Sequence, residues 1–304
     1  MRTVGAVSRL TVDLLFTGLS RWPEPGEELR APGHRMAAGG GMPVTPLLLS
    51  RLGVPSRFGT FLDGSLLSRV ALDLIAPYGD CEIVDLHRGG AAPVTLSVVA
   101  PMGGDRAILS YEEELPRPDE EALLSFFRPC DIALFHPDRP LAERLRAMGK
   151  RVLYDPDEFT SRIMTEEVLS ACDIVTPDLR EAERITGERD PERALRRLRA
   201  MGAALPVIKL GAEGCLFLEG DRPVRLPPPR LGPAADTTGA GDCFMAGLAY
   251  GLARDLPFRA CAGMGNVFGA LCTLAPGALG ADHSRERVER VYRETYGEDM
   301  GGEA

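Results

Sequence analysis

The 304-residue chain lacks most of the features by which a sequence declares its chemistry. Its seven cysteines (Cys81, Cys130, Cys172, Cys215, Cys243, Cys261, Cys272) stand singly, with no Cys-x-x-Cys and an odd total. That pattern argues against a disulfide framework and for reduced thiols in a cytoplasmic protein. His34, His87, His136 and His283 are equally isolated, which speaks against a zinc site. There is no basic excess: the formal net charge is -9, and the arginines from Arg193 to Arg199 are interrupted by Ala194, Leu195 and Leu198. They read as the wet face of an amphipathic helix, so a nucleic-acid partner is not expected. No apolar run reaches membrane-spanning length, and Arg9 and Asp13 interrupt the apolar N-terminus before a signal core could form. Two nucleotide fingerprints are missing as well. No Gly-x-x-x-x-Gly-Lys-Ser/Thr loop occurs, and Gly239-Ala240-Gly241 reaches Phe244 where the dinucleotide motif needs a third glycine. Gly263-Met264-Gly265 has the same defect, its next glycine being Gly269.

What is present is an alternation of strand and helix patterns. Strand-sized apolar runs occur at 132–135, 152–154, 174–176, 207–210 and 215–218. Between most of them lie helical stripes, namely Leu141, Leu145 and Met148, then Ala182 and Ile185, then Leu195, Leu198 and Met201. This order predicts a mainly parallel sheet covered on both faces, with ligands at the carboxyl ends of its strands. The N-terminal third differs: 12–16, 28–31 and 94–99 are candidate strands between turn-rich segments such as Pro23-Glu24-Pro25-Gly26, which suggests a small β layer beside the main sheet. Residues 297–304 have little to bury and read as a frayed, disordered tail.

The densest chemical signal is Asp236-Thr237-Thr238-Gly239-Ala240-Gly241-Asp242. Residues 242–253 read as an amphipathic helix with Thr238 as its N-cap. Unpaired first-turn amides and the positive end of the helix dipole suit a phosphate, and glycines let the backbone approach it. Asp242 is out of place in an anion hole unless it accepts a proton or aligns a hydroxyl during phosphoryl transfer. The alternative is a carboxylate that merely complements the helix dipole.

The run from Asp236 through Cys243 and Phe244 resembles the C-terminal signature of the ribokinase-like (PfkB) carbohydrate kinases. The resemblance implies an α/β core from 1–11, 36–90 and 112–296, with a β lid over the substrate formed by 12–35 and 91–111. It implies a kinase that uses ATP and Mg2+ to phosphorylate a hydroxyl of a sugar or sugar-like small molecule, with any monovalent-cation requirement left open. In that reading Asp242 is the base, and the amides around Gly239, Ala240 and Gly241 stabilise the developing charge. Asp13, followed by Pro25-Gly26-Glu27, looks like the opening segment in which an aspartate binds substrate hydroxyls; a solvated strand-end charge is its alternative. Gly39-Gly40-Gly41 before 47–53 is similar to the first signature, placing Gly40 and Gly41 at the substrate, and Gly104-Asp105-Arg106 is similar to a lid turn that would bring Arg106 there.

Pro177-Asp178-Leu179-Arg180-Glu181 matches the place of the Asn-x-x-Glu motif, so Glu181 would act on Mg2+ through water with Asp178 beside it. A charge on a solvated helix face is the alternative for Glu181. Lys209, Gly211, Gly214 and Asn266 lie in segments similar to those around the nucleotide. The sequence departs from the pattern at Val44, where the sugar-binding asparagine usually stands, and at Asp178 and Asp157, each in place of asparagine. These departures leave the phosphoryl-transfer machinery in place and open the substrate. A nucleoside or other small-metabolite kinase, and a non-catalytic ligand-binding homologue, stand as alternatives. No membrane partner is expected, and a homodimer through the lid is the candidate assembly.

Overall fold

From residue 132 to 218 apolar runs of strand length alternate with helical stripes, and each of those runs forms a strand. The computed structural model describes residues 1–87, 95–102, 105–111, 119–157 and 159–297. The first elements are β1 (Val4–Val7), β2 (Thr11–Thr17), β3 (Gly33–Gly39), α1 (Val44–Arg51), β4 (Ser56–Thr60), α2 (Leu66–Ile75) and β5 (Glu82–Asp85). The antiparallel pair β6 (Thr95–Met102) and β7 (Asp105–Tyr111) follows, then α3 (Glu120–Phe127), β8 (Ile132–Phe135), α4 (Arg139–Ala147) and β9 (Arg151–Tyr154). Next come α5 (Glu166–Ser170), β10 (Ile174–Val175), α6 (Leu179–Thr186), α7 (Pro191–Ala200) and β11 (Leu205–Lys209). The last elements are β12 (Cys215–Glu219), β13 (Arg222–Leu226), α8 (Ala240–Ala253), α9 (Phe258–Cys272) and α10 (Arg285–Tyr296).

Nine strands form one sheet in the order β13-β12-β11-β10-β9-β8-β1-β4-β5. From β11 to β5 every pairing is parallel, and the β11-β12-β13 edge is antiparallel. The period of two along β8 explains why both faces are covered. Ile132 and Leu134 belong to a core shared with α1, α8, α9 and α10, whereas Ala133 and Phe135 belong to a second core shared with α3, α4 and α7. Arg193, Arg196, Arg197 and Arg199 stay on the outer face of α7 while Ala194, Leu195 and Leu198 are buried.

A second sheet of four strands, ordered β3-β2-β6-β7, stands beside the first. The run at 28–31, expected as a strand, is not one; the strand begins after Pro32, whose missing N–H and fixed φ suit a boundary rather than a ladder. Of the expected strand at 94–99, Val94 lies outside the described residues and the rest falls in β6. The expected tail beyond Gly297 also lies outside them. The periodicity of 242–253 is likewise corrected: α8 is buried all round, from Cys243 to Ala253. Small residues make that possible, since a Cβ at Gly247 would collide with the Met264 carbonyl of α9 and one at Gly251 would lie 2.7 Å from Cys261 Cα.

Candidate active site

The first turn of α8 is shaped by glycine and aspartate rather than by a hydroxyl cap. The N-cap is Gly239, with φ +76° and no side-chain cap, and not Thr238. A left-handed backbone and a collision between any Cβ there and the Cβ of Ala278 both require glycine. Asp236, 7% exposed, holds the turn: its Oδ1 accepts from the Thr238 amide at 2.9 Å and its Oδ2 from the Gly277 amide at 2.8 Å. The Ala240 amide bonds the Thr237 carbonyl at 3.2 Å, and the amides of Gly241 and Asp242 follow it in the first turn. Beside them the buried Thr238 Oγ1 has no hydrogen-bond partner, a donor-acceptor suited to an anion's oxygen.

Two groups from other parts of the chain converge on this turn. A Cβ at Gly41 would lie 2.9 Å from Asp242 Oδ1, so the glycines after β3 abut the Asp242 carboxylate. Gly40 is packed as closely, its Cβ position 2.8 Å from the Arg9 carbonyl at the carboxyl end of β1. On the other side, a Cβ at Gly241 would lie 3.2 Å from Lys209 Nζ. Lys209, at the end of β11, bonds Asp155 Oδ1 at 2.7 Å with the two side chains 14% and 11% exposed. Thr176, just beyond β10, donates to the same Asp155 oxygen at 2.6 Å.

The field around Lys209 is strongly negative. Burial works against its charge, but Asp155, Glu181 and Asp242 outweigh that and hold its pKa above the ordinary lysine value. Glu181 shows the reverse balance, since burial pushes its carboxyl up to about 7 although Lys209 opposes the shift. Glu181 and Asp178 form a capping box at α6: Asp178 Oδ1 accepts from the Glu181 amide at 2.8 Å and Glu181 Oε2 from the Asp178 amide at 2.6 Å. Neither is a freely solvated charge, and a backbone bridge pairs Asp178 with Lys209. Among the described residues no three His, Cys, Asp or Glu side chains cluster as a metal site.

Asp13 sits on β2 opposite Ala37 of β3, its carboxylate pressed against Gly39, where a Cβ would collide with it. Burial raises its pKa, and a 3.0 Å bond from Thr11 Oγ1 partly offsets that. Other expected residues have structural employment. Asn266 is buried in α9 and donates to the Leu226 carbonyl at 2.9 Å, with Tyr296 Oη 3.2 Å away. Gly211 and Gly214 make the left-handed turn between β11 and β12, with φ of +57° and +87°. Asp157 caps its own loop through the Phe159 and Thr160 amides, and Val44 is 1% exposed in the core. Gly104 and the Arg106 side chain lie outside the described residues; the Arg106 backbone pairs with Pro101.

Sequence reasoning did not single out Asp155 as a site residue. The available signal was its place just after an apolar run; Lys209 carried another, being one of two lysines, with Lys150, in a chain that otherwise uses arginine.

Comparison with known proteins shows the family to which the chain belongs. Residues 139–284 match the family model described as pfkB family carbohydrate kinase. The chain is 30% identical over 256 residues to a cytidine kinase of Thermococcus kodakarensis, covering 79% of this chain and 87% of that one. Its fold is that of ribokinase from Thermotoga maritima (TM-score 0.77, 20% identity, 96% of this chain and 100% of that one). Ribokinase of Arabidopsis thaliana, solved with ribose and ATP, superposes with TM-score 0.77 at 20% identity, over 96% of this chain and 99% of that one. The chain therefore belongs to the pfkB family of carbohydrate kinases, small-molecule phosphotransferases with alcohol acceptors.

Proposed function

We propose that the chain transfers the γ-phosphoryl group of ATP to a hydroxyl of a sugar or sugar-like molecule, with Asp242 as the base. The observation that carries this reading is the contact of Gly41 with Asp242 in the first turn of α8. A hydroxyl held by Asp13 and the backbone at Gly40 and Gly41 would meet a carboxylate on one side and amide donors on the other. In-line transfer forms the bond from the acceptor oxygen to phosphorus as the β–γ bridge breaks; the hydroxyl proton goes to Asp242 and ADP leaves. The amides of Gly241 and Asp242, with Lys209 beside them, stabilise the negative charge spread over the transferred group. The hard oxygen donors of Glu181 and Asp178 fit a Mg2+ ion held through water, an ion that would neutralise the phosphates.

The four-stranded sheet is assigned the role of a lid that excludes water. Its Met36 is 52% exposed, and Ile108 and Leu109 of β7 are 52% and 63% exposed, apolar surface suited to a homodimer through the lid.

A second reading, a nucleoside acceptor, is favoured by one observation: the cytidine kinase is matched over most of both chains. It is compatible with the burial of Val44, which leaves no asparagine for a sugar at that place. Magnesium-dependent ADP release measured across sugars and nucleosides, with Asp242→Asn as control, tests both. Stimulation by a sugar that the variant abolishes supports the first reading, and stimulation by nucleosides alone supports the second. Undiminished turnover by Asp242→Asn would overturn the assignment of the base.

A further inference from the structure

Arg35 has no place in the proposed chemistry, yet it joins the two halves of the site. Opposite residues of an antiparallel pair point to the same side of a sheet, and alternate residues share a face. Asp13 faces Ala37 and Leu15 faces Arg35, so Arg35 lies on the same face of the small sheet as Asp13, while His34 and Met36 are on the exposed one. From there its Nη2 donates to the Pro276 carbonyl. A Cβ at Gly277 would collide with that nitrogen, and one at Gly280 would lie 3.3 Å from it.

The loop Arg35 grips is the one that clamps the anion-binding turn. Gly277 N–H bonds Asp236 Oδ2, and Asp236 Oδ1 bonds the Thr238 amide two residues before Ala240, where α8 begins. Cys243 Sγ donates to the Ala278 carbonyl of the same loop at 3.2 Å. The strand that carries Arg35 ends at Gly39, and Gly41 then abuts Asp242. β3 and the glycines that follow it thus reach the α8 turn by two routes, directly where Gly41 abuts Asp242 and indirectly through Arg35 and the 276–280 loop.

From this we infer that Arg35 is a positioning residue that couples the small sheet, where the acceptor binds, to the geometry of the α8 turn. The coupling runs through Pro276, Gly277 and Asp236. A charged N–H on a neutral carbonyl is a strong contact, and the buried Arg35 Nε has no hydrogen-bond partner of its own. The sheet cannot move away from α8 without releasing the 276–280 loop, and with it Asp236.

The inference rests on the kinase reading for its catalytic consequence but not for its structural one, and the experiment separates the two. Wild type, Arg35→Met and Arg35→Lys are compared by hydrogen exchange with mass-spectrometric readout and by steady-state kinetics on the best acceptor found. In Arg35→Met the amides of 236–242 and 276–280 should exchange about tenfold faster while α3 and α4 exchange as in wild type. The kcat should fall roughly 10- to 100-fold with the ATP KM changed less than about threefold, because the displaced amides of Gly241 and Asp242 act chiefly on the charge that develops during transfer, while Lys209 and Glu181, on other elements, stay in place. Arg35→Lys, which keeps a donor, should recover part of both. Unchanged exchange at 236–242, or an increase that spreads equally to α3 and α4, would overturn the coupling. Should the wild type phosphorylate nothing, the kinase reading fails and the exchange comparison alone decides the role of Arg35.

Discussion

Gly41→Ala puts a single methyl between the two halves of the site. The Cβ would lie 2.9 Å from Asp242 Oδ1, about 0.5 Å inside ordinary contact, at a backbone with φ +68°. Two costs follow. An alanine in the left-handed region costs about 1–2 kcal/mol, which for a chain of this size lowers the melting temperature by roughly 1.5–3 °C. The second cost is catalytic, since Asp242 must yield by about half an ångström, and a 1 Å misplacement near the chemistry is worth up to about 100-fold. A fall of roughly tenfold in kcat is expected. Gly64→Ala is the control: Gly64 has φ +73° and nothing within 4 Å of its Cβ position, so it carries the conformational cost without the collision. The assay is acceptor-dependent ADP release under saturating ATP, beside a thermal melt of each variant. If Gly41→Ala and Gly64→Ala lose the same stability and both keep wild-type kcat, Asp242 is not at the reacting proton and the reasoning fails.

Asp242→Asn should lower kcat by about 10²- to 10⁴-fold with a melting temperature close to wild type, because a half-buried carboxylate is replaced by an amide of the same shape. Lys209→Met should cost about 3–5 kcal/mol, read by urea denaturation, because Asp155 at 11% exposure is left without its cation; a loss below about 1 kcal/mol would show that water replaces the lysine. Glu181 sets a pH dependence. Its carboxyl is raised to about 7 from an unfolded value of 4.5, so its contribution to stability is complete below about 4.5 and is lost as pH rises through about 7. Glu181→Gln, which does not ionise, should therefore gain stability relative to wild type between about pH 5 and 8, and parallel stability profiles of the two proteins would contradict the buried environment of Glu181.

The sheet was legible because burial on both faces leaves a plain record: 132–135 and 152–154 are apolar throughout and appear as β8 and β9 with the same bounds or one residue more. Edges are less legible. β13 reads Arg-Pro-Val-Arg-Leu because an edge strand needs only alternate apolar residues and tolerates Pro223; β4, one strand in from the other edge, is no plainer, reading Ser-Arg-Phe-Gly-Thr although Phe58 is fully buried. The first turn of α8 was visible in its glycines, but its cap was misread because Thr238 has the right side chain and Gly239 has the required φ. Asp155 escaped notice because its partners Thr176 and Lys209 lie 21 and 54 residues away. Contacts of that separation are set by strand order, which no local window contains.

Strand order also accounts for the charge balance that a phosphate donor would meet. Placing β9, β10 and β11 side by side brings Asp155, Glu181 and Lys209 together, and α8 adds Asp242. One ammonium is thus influenced by three carboxylates, so Lys209 does not leave the site positive. A bare polyphosphate would be repelled here despite the amides of α8, whereas a donor that arrives with a divalent cation brings the missing charge. Burial, more than the neighbouring carboxylates, raises the Glu181 carboxyl; while it stays protonated the site carries one negative charge fewer, and a cation nearby would favour its ionised form. On the proposed reading, a site this acidic is matched to a phosphate donor that arrives with a metal, and the same acidity would disfavour phosphate binding when no metal accompanies it.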